Sequence, residues 1–145
     1  MLYKNVLTII FSFLFLTNIA FASSTPADDA AVKQTIEKYA KSTDDKDGSG
    51  VESVFHKEAI IYSVNKFNNK VSEMSLSEYV GEIKSGKFGG WERDLTIESV
   101  DVYGSTAVAK VMMKDAKLKQ TEYLSLVKLN GGWKIVSCSL TREKA

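Results

Sequence analysis

The sequence predicts an α+β domain in which N-terminal helices pack on a curved, mixed or mainly antiparallel sheet. Three observations carry that prediction. Apolar residues recur at helical spacing only in the first part of the chain, β-rich runs fill it from Arg93 onward, and two of those runs meet at Asn130-Gly131. Helices followed by strands segregate into two layers, the helices covering one face of the sheet.

The first 22 residues stand apart from that domain. Lys4 gives a positive start, Val6 to Leu16 an apolar core, and Ala20-Phe21-Ala22 a small-residue cleavage site, which together read as a secretory signal peptide cut after Ala22. The apolar core is shorter than the roughly 20 residues of a membrane span. No cysteine follows the site to take a lipid. The expected product is periplasmic or secreted, not membrane-bound after cleavage, and a single domain of residues 23–145. Losing Lys4 leaves 18 basic side chains against 18 acidic ones, so no basic excess points to nucleic acid. Cys138 is the only cysteine and cannot form an intrachain disulfide; a small buried strand residue is its expected role.

The elements follow in order. Thr25 as N-cap, Pro26 in the first turn and Asp28 near the positive end of the dipole start a helix, whose stripe of Val32, Ile36, Tyr39 and Ala40 ends near Thr43. Asp45, Asp47, Ser49 and Gly50 can be laid on calcium-loop positions, but the position of the bidentate glutamate falls on His56. The segment reads instead as a polar loop whose Ser49 or Gly50 opens a short helix with Val51, Val54 and Phe55 inward. Ala59 to Val64 is a strand, residues 66–70 a turn, and Val71 to Met74 a second strand. Ser75 or Ser77, with Glu78 in the first turn, caps a third helix that buries Leu76, Tyr79, Val80 and Ile83. The glycine-rich stretch from Gly86 to Trp91 lacks the lysine and hydroxyl of a phosphate loop. It reads either as a mobile edge over a cavity or as a plain loop with Trp91 tucked into the core.

From there the chain is strand. Leu95 and Ile97 share one phase and Val100 and Val102 the other, which predicts a bulge near Ser99. Gly104-Ser105 turns the chain into the alternating run Ala107 to Lys114, and a polar turn at 115–118 leads to the final hairpin. Asn and Gly tolerate the positive φ of a type I′ turn, so a two-residue loop at Asn130-Gly131 pairs Leu129 with Gly132, Leu126 with Ile135 and Leu124 with Ser137. One face then holds Leu124, Leu126, Trp133 and Ile135. The other holds Tyr123, Ser125, Val127, Lys134, Val136 and Cys138, a mixture that calls for a ligand space or a partner subunit.

The order helix, short helix, strand pair, helix, four-strand meander resembles the nuclear transport factor 2-like superfamily, and within it the SnoaL-like and "putative lumazine-binding" branch. The residues that carry the likeness are Val54-Phe55-His56-Lys57-Glu58-Ala59, Ile97 to Ala109 around Gly104, and Thr121 to Leu126 leading to Gly132-Trp133-Lys134-Ile135-Val136. The resemblance implies a cone-shaped half-barrel enclosing a pocket, often in a homodimer. The chain departs from the branch at Glu122, where members often carry Asp, and at Ser137-Cys138, where they often carry Asn-Lys.

Candidates for chemistry are few. With one histidine and one cysteine no usual metal cluster can form, no nucleophile elbow is present, and no cofactor is expected. His56 could shuttle a proton if buried beside a carboxylate, although a helix-to-strand junction more often exposes such a residue. Glu122 shares the face of Leu124 and Leu126 and needs a partner there, such as Arg93 or a tyrosine. The expected pocket residues are Tyr39, Phe55, His56, Tyr62, Trp91, Glu122 and Trp133. Three readings follow: a binding domain for a small apolar or aromatic molecule, which leads; an isomerase- or dehydratase-like enzyme using a pocket acid or base; and a noncatalytic homodimeric interaction module.

Overall fold

The computed structural model describes residues 25–66 and 68–145; the signal peptide expected at residues 1–22, and Phe67 of the first turn, lie outside them. In chain order the elements are α1 (Pro26–Asp44), α2 (Gly48–Val54), β1 (Phe55–Asn65), β2 (Lys70–Ser75), α3 (Leu76–Lys84), β3 (Asp94–Tyr103), β4 (Thr106–Lys114), β5 (Leu118–Leu129) and β6 (Gly132–Lys144). The strands form one open six-stranded sheet ordered β2-β1-β6-β5-β4-β3. Neighbours are antiparallel except β1 and β6, which run parallel. This is the predicted α+β architecture.

The helix starts follow from capping. Thr25 Oγ1 accepts from the Asp28 amide at 3.2 Å, and Pro26 opens α1 at no hydrogen-bond cost. In α3, Ser75 and Glu78 form a reciprocal capping box. Helix α2 begins at Gly48, ahead of the Ser49 or Gly50 start expected, because Asp47 is its N-cap and accepts from the Gly50 amide at 2.9 Å.

Besides a register shift of β1 on β6 between Phe55 and Ile60, two strand irregularities interrupt the ladders. The register of β3 on β4 shifts between Ile97 and Ser99, where the sequence predicts a bulge. A second shift falls in the hairpin itself. Leu126 pairs with Ile135 as expected, but Leu124 pairs with Cys138 and not with Ser137. The extra residue in β6 turns Cys138 and Leu140 onto the buried face, whereas unbroken alternation put Cys138 on the other. The turn also differs: the positive φ lies at Gly132 (103°), not at Asn130 or Gly131, so the loop is not type I′ and its left-handed residue follows the turn.

The core lies between the helices and one face of the sheet. Ala107, Ala109, Val111 and Met113 of β4, Leu124 and Leu126 of β5, and Trp133, Ile135, Cys138 and Leu140 of β6 meet Val32, Ile36, Tyr39, Tyr79 and Ile83 of the helices. The opposite face is open within this chain: Val108 and Tyr123 are 56% and 59% exposed.

Candidate functional site

The inner-facing phase of β5 carries two polar residues before its leucines, Gln120 and Glu122. Glu122 is fully buried. Its Oε1 accepts from the Tyr39 hydroxyl at 3.2 Å and from Gln120 Nε2, and its Oε2 accepts from the Cys138 thiol at 3.4 Å. Burial pushes the Glu122 carboxyl above its ordinary pKa, while the Gln120 and Cys138 bonds, the Arg93 charge and the Tyr39 bond pull it back. Burial, and then the Glu122 carboxylate, raise Tyr39 and Cys138 well above their ordinary values and push Tyr79 up to about 12. The phenols and the thiol therefore keep their protons at neutral pH. Phe55 closes the cluster, its ring 5.2 Å from that of Tyr39 and nearly perpendicular to it.

From this buried group a polar chain leads outward. Arg142 Nε donates to Gln120 Oε1 at 2.6 Å, and the Arg142 guanidinium lies 6.0 Å from the centre of the Trp91 ring. Arg93 stacks on the same ring at 4.6 Å. Its charge is matched by Asp44, whose Oδ1 lies 2.7 Å from Nε and 2.5 Å from Nη2. Trp91 is held in place by the glycine-rich segment: the Gly90 amide donates to the Asp44 carbonyl at 2.7 Å. Gly89, at φ +87°, leaves no room for a side chain, since a Cβ there would stand 2.3 Å from the Thr43 carbonyl oxygen. The segment is thus tied to the end of α1.

Besides an open depression of about 360 Å³ on the side of Ser63 and Lys66, two cavities flank Arg142 at this end of the sheet. One, of about 60 Å³, lies among Trp91, Arg93, Met113, Leu118 and Gln120. The other, of about 170 Å³, is lined by Ile61, Met74, Tyr79, Phe88 and Leu140. A more open groove of about 500 Å³ lies elsewhere, beside Trp133 at the hairpin end. There Asp28 and Lys128 satisfy one another at 2.6 Å, and Trp133 Nε1 donates to the same Asp28 oxygen at 3.3 Å.

The structure brings Tyr39, Phe55 and Glu122 together and links them to Trp91 through Gln120, Arg142 and Arg93. It places the other expected pocket residues apart. His56 is half-buried at the start of β1, its Nδ1 accepting from the Glu58 amide at 3.3 Å. Tyr62 alternates with the buried Ile61 and faces outward beside Ser139. Trp133 sits in the core at the far end. Of the two partners expected for Glu122, the tyrosine makes the hydrogen bond and Arg93 pairs with Asp44. Sequence reasoning missed Gln120, Tyr79 and Arg142. Gln120 shares the phase of Glu122, Leu124 and Leu126, and Arg142 shares that of Cys138 and Leu140, so both were available as polar residues on an inner face.

Among solved structures, the chain is similar to a nuclear transport factor 2-like protein of unknown function from Shewanella baltica, at 21% identity and a TM-score of 0.74, covering 85% of this chain and 100% of that one. It is similar to another from Methylobacillus flagellatus, at 19% identity and a TM-score of 0.71, covering 84% and 97%. A ketosteroid isomerase-like protein from Erwinia carotovora atroseptica shares 11% identity with a TM-score of 0.65, covering 81% and 98%. No curated protein matches. These likenesses are of fold. Residues 27–139, most of the chain and all of the cluster from Tyr39 to Cys138, match the family described as "Putative lumazine-binding". The chain therefore belongs to that family, within the nuclear transport factor 2-like superfamily.

Proposed function

We propose that the mature chain is an exported, noncatalytic domain that binds a small, largely apolar or aromatic molecule at the mouth of its cone and works as a homodimer. The observation that carries this reading is the larger cavity beside Arg142, whose wall is mainly apolar and aromatic although Ser63, Ser72 and Glu73 also reach it. The family's description supports a small ligand. An acid–base enzyme would need Glu122 to reach its substrate, and Glu122 is enclosed by Tyr39, Gln120 and Cys138. That enclosure favours binding over catalysis.

Native mass spectrometry of the protein purified from its export compartment, followed by a denaturing run, tests all three parts. The expected result is a dimer whose subunits begin at Ser23 and which carries a small adduct lost on denaturation. Subunits retaining residues 1–22 would overturn the export reading. A ligand-free protein that takes up no small aromatic molecule on titration would move the function to an interaction module.

A further inference from the structure

Of the two arginines at the mouth, one has no acidic partner among the described residues. Arg93 is neutralised by Asp44, whereas Arg142 makes no ion pair among the described residues. Its one hydrogen bond there runs from Nε to the neutral Gln120 side chain, so neither terminal nitrogen has a partner. No carboxylate nearby pairs with it. Glu143 is held by Lys66 at 2.5 Å and Lys119 at 3.2 Å. Asp115, on the rim of the smaller cavity, accepts the Lys117 and Leu118 amides at 2.7 and 2.8 Å. Glu73, which lines the larger one, is exposed and makes no ion pair among the described residues. A partly buried guanidinium normally recruits a planar anion, because its parallel N–H groups match a carboxylate in two hydrogen bonds.

Arg142 also lines both cavities. The larger, at about 170 Å³, is apolar on most of its wall. A cavity of roughly 150 Å³ walled by aliphatic and aromatic groups admits one benzene ring. Building on the small-molecule reading above, we propose that the ligand is a single-ring aromatic carboxylate, its ring against Ile61, Met74, Phe88 and Leu140 and its carboxylate on the free terminal nitrogens of Arg142. The Trp91 ring centre lies 6.0 Å from the guanidinium. Gln120 holds Nε and leaves the fork's other edge free for the ligand.

The test uses the full mature chain, with binding followed by isothermal titration calorimetry. The probes are phenylacetate, its neutral isostere phenylacetamide, and acetate. Phenylacetate should bind about 10-fold or more tighter than phenylacetamide, the difference expected of a charge-assisted hydrogen bond. It should also exceed acetate, which lacks the ring. Arg142→Gln should bring acid and amide level, and Arg142→Lys should recover part of the preference, with circular dichroism checking that both fold. Equal binding of acid and amide by the unmodified protein would overturn the carboxylate assignment and leave the apolar site standing. Acetate binding as well as phenylacetate would place the anion on a surface charge and overturn the ring's seat. Failure of all three probes at millimolar concentration would overturn the proposal and count against the small-molecule reading itself.

Discussion

At Glu122, burial and hydrogen bonding pull in opposite directions, and burial wins. A carboxyl whose pKa is raised by folding binds more protons in the native state than in the unfolded chain. Its contribution to stability is fullest below the ordinary value of 4.5 and is lost as pH climbs from there through the raised folded value. Within that window the loss is at most about 1.4 kcal/mol per pH unit. Glu122→Gln keeps the shape without the charge, so its denaturation midpoint should vary less with pH than the unmodified protein's between mildly acidic and neutral buffers. An identical pH slope in the two proteins would mean that Glu122 does not titrate in that range. Tyr39→Phe should cost about 1–2 kcal/mol in urea denaturation by leaving a buried oxygen short of one donor. The need of Glu122 for a partner was legible, because a carboxylate in phase with two leucines must be paired. Which partner it takes was not, since that depends on where α1 lies across the sheet.

Among the elements, β3 and β6 offer a direct comparison. The phase change from Ile97 to Val100 announced one bulge, and the same change from Ile135 to Cys138 announced another. The second was overlooked because Val136 and Ser137 suit either face. That one residue decides whether Cys138 and Leu140 point inward, and with them Arg142; the site's outer half was illegible for this reason. The connection from α3 to β3 also has its own geometry. Gly89 holds a left-handed backbone against the end of α1. Gly89→Ala should cost about 1–3 kcal/mol, the range for strained backbone, and should loosen Trp91. Urea denaturation reads the first effect, and quenching of tryptophan fluorescence by acrylamide reads the second.

At the scale of the whole molecule, the open face of β4 and β5 is where the proposed second copy would sit. Val108 and Tyr123 are its exposed apolar residues near the middle of the sheet. Replacing both with glutamate should weaken a dimer formed there by about 100-fold, as expected when central contacts of an interface are lost. Sedimentation velocity across a dilution series measures it; an unchanged dimer would put the interface elsewhere. The order of elements and the layer architecture were legible from helix caps, turn residues and alternation, because each is fixed locally. The parallel pairing of β1 with β6 was not, because it joins segments separated by most of the domain. That pairing has a consequence for biosynthesis. The strand that joins the two halves of the sheet is made after the other five, so β1, β2 and α3 have no central strand to dock on until residues 132–144 emerge. A nascent chain stalled before Gly132 should be open to protease across both halves of the sheet, and completion of β6 should protect the two together.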